Sequence, residues 1–352
     1  MNVATQRNIR HVSLEELHKF FESIGEPKFR AKQVWEWIWQ KHARSIDEMT
    51  NLSKSLREKL NGAFTLPALT IDHTQYSADG TIKSRFRTRE GHMVEGVMIP
   101  TESRMTACVS SQIGCSLSCK FCATGYIPRK RNLDFDEIVD EVVLINQQAE
   151  KVNGKKLSNI VFMGMGEPLL NYSNVLKAIE RISAPDGLGM SPRRITVSTA
   201  GVSKMIRQLG DDEVRFKLAV SLHAANDTKR NEIMPINESN NLASLIDALN
   251  YFYKKTKNEI TLEYILFKDF NDSLEDADEL IKVYRKVPAD LVNIIEYNPI
   301  DFAKFEKPTE EKVNAFMEYL DQHRVNARLR RSRGKDIDAA CGQLANKDGD
   351  LV

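Results

Sequence analysis

The chain has 352 residues, 41% of them hydrophobic and 28% charged, with a formal net charge of +1. That length can bury a large core, and the balance is that of an ordinary globular protein rather than a disordered or strongly nucleic-acid-charged one. No run of about 18 apolar residues occurs, which argues against a membrane-spanning helix, and MNVATQRNIRHVSLEE lacks an apolar signal core, which points to the cytoplasm.

Residues 12–62 read as helices. Ser13-Leu14-Glu15-Glu16 is a capping box, followed by Leu17, Phe20, Phe21 and Ile24 at helical spacing, and Gly25 ends the pattern. A second helix begins near Phe29 and carries Trp35, Trp37 and Trp39. Their spacing of two spreads them around the axis, so they do not all share a buried face, and one is left for stacking on a nucleic-acid base. A second capping box, Ser45-Ile46-Asp47-Glu48, predicts a further helix carrying Met49, Leu52, Leu56 and Leu60. Residues 1–65 are thus expected to form a small helical accessory domain.

From residue 67 the period changes to two. LTIDHTQYS, the turn ADG and TIKSRFRT predict a hairpin, with MVEGVMIP and MTACVSS as further strands, so 66–104 reads as a β-rich connection. Strands then alternate with helices. The strands are 159–164, 194–200, 216–224, 259–267 and 292–299; helical patterns such as 134–150 and 273–286 lie between them. With MTACVSS as the first strand there are six βα units, too few for a closed eight-stranded barrel. Parallel βα folds place their sites at the C-terminal ends of the strands.

Chemistry concentrates in GCSLSCKFCATG, where Cys115, Cys119 and Cys122 fall within eight residues. Five cysteines, odd in number and with three clustered, argue against a secreted disulfide framework. Soft thiolates suit an iron–sulfur cluster or zinc. A [4Fe–4S] cluster usually takes four thiolates; held by three, it keeps one iron open for a small molecule. A structural zinc would need a fourth ligand, and no His or Cys follows Cys122 until His223. In FMGMGEP, Gly164 and Gly166 would let backbone approach a ligand closely, while Glu167 disfavours a phosphate and suits a cationic amine. The run 324–335 (RVNARLRRSRGK) has six basic residues and no acidic one, the pattern of a local RNA-contact stripe.

GCSLSCKFCATG, FMGMGEPLLN (162–171), VSLHA (220–224) and RGKDIDAACGQL (333–344) together resemble the RlmN/Cfr family of radical S-adenosylmethionine (SAM) methyltransferases, over nearly the whole chain. The resemblance implies an α/β fold, an open (βα)6 partial TIM barrel over 105–332, followed by a segment, 333–352, bearing the methyl-accepting cysteine. It implies a [4Fe–4S] cluster on Cys115, Cys119 and Cys122, with SAM contacted by Gly166, Glu167, Ser198, Ser221, Leu222, His223 and Asn298. Taken singly, these serines and the asparagine are ordinary turn residues; their joint placement on successive strand ends is what counts.

The implied reaction methylates C2 of an adenine in 23S ribosomal RNA, at the peptidyl transferase centre, and adenine 37 of transfer RNA, consuming two SAM per turnover. C2 is electron-poor and does not attack the SAM methyl directly, so the family route passes through S-methylated Cys341. Cys108 then forms a transient disulfide with it. Glu95 is the implied base, on a strand face shared with Met93, Val97 and Ile99, an apolar setting that would raise its pKa. The Cfr-type alternative uses the same parts to methylate adenine C8. A flavodoxin-like electron donor and a monomeric state complete the expectations.

Overall fold

A computed structural model describes residues 6–347. Helix α1 (Leu14–Ser23) starts at the anticipated capping box: Ser13 Oγ accepts from Glu16 N and the Glu16 carboxylate accepts from Ser13 N. Helix α2 (Phe29–Trp39) carries the three tryptophans. Trp39 is buried and packs against Phe135, whereas Trp35 donates from Nε1 to Asp186, and Lys41 covers the Trp37 ring. The second capping box does not cap a helix. Ser45 opens a single 3-10 turn, Ile46–Glu48, and its hydroxyl meets the Glu48 carboxylate rather than the backbone. Helix α3 (Lys54–Ala63) is instead capped by Ser53, whose Oγ accepts from Leu56 N.

The helical segment is docked on the rest of the chain. Leu17, Phe21, Val34 and Ile38 belong to the same buried cluster as the central sheet. Arg10, itself buried, lies 2.8 Å from Asp140 of α4 (Phe135–Asn153).

One ten-stranded sheet follows, its strands lying side by side in chain order. They are β1 (Thr70–Tyr76), β2 (Ile82–Arg87), β3 (Met93–Pro100), β4 (Met105–Cys108), β5 (Asn159–Phe162), β6 (Ile195–Thr199), β7 (Lys217–Ser221), β8 (Ile260–Leu266), β9 (Leu291–Glu296) and β10 (Ala327–Arg330). Strands β1 to β4 pair antiparallel, and every pair from β4 to β10 is parallel.

Six crossovers link the seven parallel strands. They run through α4, α5 (Tyr172–Ser183), α6 (Ser203–Asp211), α7 (Asp227–Ile233) with α8 (Leu242–Thr256), α9 (Leu274–Tyr284) and α10 (Glu310–Gln322). The six βα units expected are present, and the sheet is open, with β1 and β10 at its two edges. Strand β10 was not anticipated. Its residues lie in the basic run, where charge hid the period-two alternation of Ala327 and Leu329 with Arg328 and Arg330. Arg328 and Arg330 therefore share one face, and they reach Asn293 on the adjacent β9 and Glu263 on β8 beyond it.

Candidate active site

The site lies at the C-terminal ends of the parallel strands, as the topology demands. A cleft of about 900 Å³, partly open to solvent, is lined there by the cysteine loop, the FMGMGEP loop, the ends of β6 and β7, and Cys341. The loop leaves β4 through Gly114, whose φ of +74° and a Cβ that would stand 2.5 Å from Pro128 O leave no room for another residue. It turns back on itself through Cys122 N to Cys119 O at 3.2 Å and Gly125 N to Cys122 O at 2.9 Å.

Cys115, Cys119 and Cys122 all line the cleft, and burial raises the pKa of each thiol, that of Cys115 to about 11. Backbone N–H groups of Ser116 and Leu117 bond the Cys115 sulfur, and those of Thr124 and Gly125 bond Cys122, opposing that rise. A mononuclear tetrahedral site with Zn–S bonds of ~2.3 Å would bring its sulfurs to about 4 Å apart. Among the described residues the three thiols do not form a group within 4.8 Å of one another; the constellation that does is His11, Asp134 and Asp136. Three converging but more widely spaced thiols, with N–H donors aimed at sulfur, fit a multi-iron cluster.

The FMGMGEP loop lines the cleft with Gly164, Gly166 and Glu167, and its glycines also meet the chain itself. Gly166 has φ +91°, and a Cβ there would lie 2.5 Å from Gln112 Cβ; at Gly164 it would lie 2.6 Å from Ser110 Oγ. The glycines are needed because the chain's own segment after β4 passes beneath them. Gln112 Oε1 in turn accepts from Glu167 N at 2.9 Å. The Glu167 carboxylate spans the floor, accepting from Leu169 N at 3.0 Å and Ala200 N at 2.7 Å, while burial raises its pKa to about 6.

Ser198 and Ser221 end on the cleft wall. Leu222 is buried in the apolar core and contributes its backbone: its carbonyl accepts from Arg230 Nε at 3.1 Å. His223 sits at φ +54°, and its Nδ1 accepts from Ile265 N at 3.1 Å. The ring proton is therefore on Nε2, and burial beside the Arg230 charge lowers the pKa to about 3, so the imidazole lining the cleft is neutral.

A C-terminal strap carries Cys341 and is fastened on three sides. Gly342 O accepts from Ala123 N at 2.7 Å, and Leu344 O accepts from Thr124 Oγ1 at 2.7 Å, tying it to the cysteine loop. Beyond β9, Asn298 Nδ2 donates to Cys341 O at 3.2 Å, and Gln343 Nε2 to Pro299 O at 3.1 Å. The Asn298 Oδ1 is buried without a hydrogen-bond partner among the described residues, which suits a neighbouring ligand with N–H donors, as SAM has. On the third side Glu95 Oε2 accepts from Ala345 N at 2.9 Å and Asn346 N at 3.1 Å. Cys108, at the end of β4, is buried; burial pushes its thiol up to about 12, the Cys341 sulfur adds to the rise, and the Arg330 guanidinium opposes it.

The comparisons agree with this geometry. The description "Ribosomal RNA large subunit methyltransferase N-terminal domain" matches residues 7–66 and "Radical SAM superfamily" matches 109–282. The "Probable dual-specificity RNA methyltransferase RlmN" of Cytophaga hutchinsonii is 54% identical, covering 97% of this chain and 93% of its own. The chain belongs to the RlmN family. The "Dual-specificity RNA methyltransferase RlmN 2" of Myxococcus xanthus is 45% identical, over 97% of this chain and 91% of that one. A crystal structure of a radical SAM methyltransferase from Sphaerobacter thermophilus superposes with a TM-score of 0.90 at 39% identity, covering 96% and 99% of the two chains.

Several RlmN-family side chains around this cleft were not expected from sequence. Arg230 is fully buried and donates to the carbonyls of Ala200 (2.7 Å), Ser221 (3.2 Å) and Leu222 and to Asn237 Oδ1 (2.5 Å), gathering the ends of β6 and β7. Nothing in a short helical segment marks such a residue. Glu263, Asn293 and Arg330 form a polar network: Asn293 Nδ2 donates to Glu263 Oε1 at 2.6 Å, and Arg330 lies 3.4 Å from Glu263 Oε2. A glutamate inside the otherwise apolar strand EITLEYILF was the available signal. Glu95 also departs from expectation. Its surroundings are Lys83, 3.7 Å away, and the strap's backbone, not an apolar face. Among the described residues no helix is long and apolar enough to cross a membrane.

Proposed function

We propose that this protein methylates C2 of an adenine in 23S ribosomal RNA, at the peptidyl transferase centre, and adenine 37 of transfer RNA. The observation that supports this reading best is the strap: it brings Cys341 to the wall formed by Cys115, Cys119 and Cys122, while Cys108 ends the strand that leads into that cysteine loop. Two thiols outside a three-thiol cradle have no purpose in an iron–sulfur protein that only stores electrons.

Cys115, Cys119 and Cys122 would hold a [4Fe–4S] cluster, with SAM against Gly166, Glu167, Ser198, Ser221, Leu222, His223 and Asn298. When bound, these groups supply the methyl carbon and the one-electron cleavage of SAM that activates it. The chain's own residues do the rest. Cys341 accepts the methyl on sulfur, acting as the nucleophile. Once that carbon is joined to adenine C2, Glu95 takes the C2 proton. Cys108, as its thiolate, then attacks the Cys341 sulfur; the bond from that sulfur to the new carbon breaks, the carbon keeps the electron pair and takes up a proton to complete the methyl group, and the two sulfurs are left as a disulfide that a reductant reopens. Neutral His223 orients its Nε2–H without adding charge, and Arg230 holds the strand ends that carry Ala200 and Ser221. A flavodoxin-like donor and a monomeric protein complete the proposal.

Anaerobically reconstituted Cys108→Ala protein, given SAM, reductant and unmodified RNA, should accumulate a nuclease-sensitive protein–RNA conjugate, because nothing remains to displace the Cys341 sulfur. Wild-type protein should release RNA whose digested nucleosides contain 2-methyladenosine. Normal turnover by Cys108→Ala would overturn the two-thiol route. Formation of 8-methyladenosine would favour the Cfr-type reaction, which the relatives' descriptions do not support.

A further inference from the structure

At the rim of the cleft two exposed aromatic rings are stacked on each other. Tyr126 and Phe302 have ring centroids 5.2 Å apart and planes inclined by 28°, yet they remain 43% and 59% exposed. Each comes from an element that also builds the site. Tyr126 ends the turn that begins at Cys122 and directly follows Gly125 of the cleft wall. Phe302 follows the β9 extension that holds Cys341 through Asn298. The Tyr126 hydroxyl donates to Lys120 O at 3.0 Å, which fixes the ring against the cysteine loop.

An exposed stacked pair is not explained by core packing, because burial would have hidden it. Its surroundings are basic. Lys120, Arg129, Lys130 and Lys304 are all exposed, and none has an acidic partner within ion-pair distance among the described residues. The acidic neighbours in sequence of Phe302 and Lys304 are neutralised by other lysines, Asp301 by Lys347 at 2.8 Å and Glu306 by Lys268 at 2.7 Å. Aromatic faces interleaved with unpaired cations are how proteins hold single-stranded nucleic acid: bases stack on rings while cations meet phosphates.

We infer that the Tyr126–Phe302 pair is a stacking platform for an unpaired RNA base adjoining the adenine that enters the cleft, with Lys120, Arg129, Lys130 and Lys304 meeting the flanking phosphates. This rests on the proposal that the cleft acts on RNA and adds to it the surface that grips the substrate. An adenine must leave its stack to reach Cys341 deep between the strand ends, so its neighbour loses a stacking partner. A ring pair at the rim replaces that partner, and Phe302, in a loop, can adjust to it.

The test uses cluster-loaded protein and an unmodified anticodon stem–loop RNA with 2-aminopurine beside the target adenine. Phe302→Ala and Tyr126→Ala should each weaken binding about five- to hundredfold and relieve the quenching of 2-aminopurine seen with wild type. Phe302→Trp and Tyr126→Phe, which keep a ring, should restore both. Replacing Lys120 and Lys304 by Gln should instead flatten the salt dependence by about one log–log unit per lost contact. Equal melting temperature and iron content would show that each variant is folded; were Tyr126→Ala to fail this, Phe302→Ala carries the test.

Ring-deleted variants that bind RNA as wild type does, with 2-aminopurine still quenched, would overturn the inference. Unchanged RNA binding with slower cluster reduction by a flavodoxin would also overturn it, marking the pair as an electron-donor dock. Wild-type protein that neither binds nor methylates RNA would sink the functional proposal itself, which separates the two failures.

Discussion

Glu95 is the residue whose structural role is most sharply testable, because one carboxylate oxygen holds two successive backbone amides of the Cys341 strap. Glu95→Gln keeps the shape and removes the charge. A hydrogen bond to a charged group contributes ~1.5–3 kcal/mol and a neutral one ~0.5–1.5, so each of the two bonds should weaken by about 1–1.5 kcal/mol. Lys83, which loses its carboxylate partner at 3.7 Å while its side chain stays buried, shifts the balance the same way. The sum, about 2–3 kcal/mol, should speed local opening of the strap by roughly 30- to 140-fold. Hydrogen exchange read by mass spectrometry on the peptide spanning Ala340–Lys347 measures this directly, with a peptide from α4 as the unaffected control. Acceleration of less than about threefold would refute the clamp reasoning, because it would correspond to under ~0.7 kcal/mol. Exchange is independent of turnover, so the clamp is separable from the proposed role of Glu95 as a base.

Gly166→Ala must place a Cβ 2.5 Å from Gln112 Cβ at φ +91°, and should cost about 2 kcal/mol or more in stability together with SAM affinity; a wild-type denaturant midpoint and SAM titration would contradict this. His223 is held neutral with its pKa near 3, so the unfolded chain binds the extra proton below its own value of about 6.5, and stability falls as pH falls through that window. Between about pH 7 and 5 the cluster-free protein should lose ~2 kcal/mol more than His223→Gln does, and equal losses would show that the ring is not buried neutral. Replacing Cys115, Cys119 or Cys122 by Ala should abolish the visible absorbance and the roughly four irons and four sulfides per chain of a [4Fe–4S] cluster. Stoichiometric zinc without sulfide in anaerobically purified wild type would refute the cluster assignment.

What the sequence determined by itself is whatever depends on neighbours along the chain. The capping box at Ser13, the period-two hairpin around ADG, the six βα alternations and the three-cysteine loop are all short-range patterns, and each stands where it was read. Ligand-bearing strand ends followed from the parallel rhythm, since parallel strands joined by helices put all their C-terminal ends on one side. Contacts across long separations were decided only by the tertiary structure. Strand β10 was hidden because Arg328 and Arg330 look solvated until Asn293 and Glu263 are set beside them. Ser45 and Ser53 offer equivalent capping chemistry, and the packing of the chain around them selected Ser53. Gly164 and Gly166, which line the cleft, also answer to Ser110 and Gln112, more than fifty positions upstream. Glu95 meets a strap some 250 residues later, and Arg230 gathers carbonyls from two strands. A buried polar group is defined by the partners that satisfy it, and those partners are neighbours in space that no local pattern records.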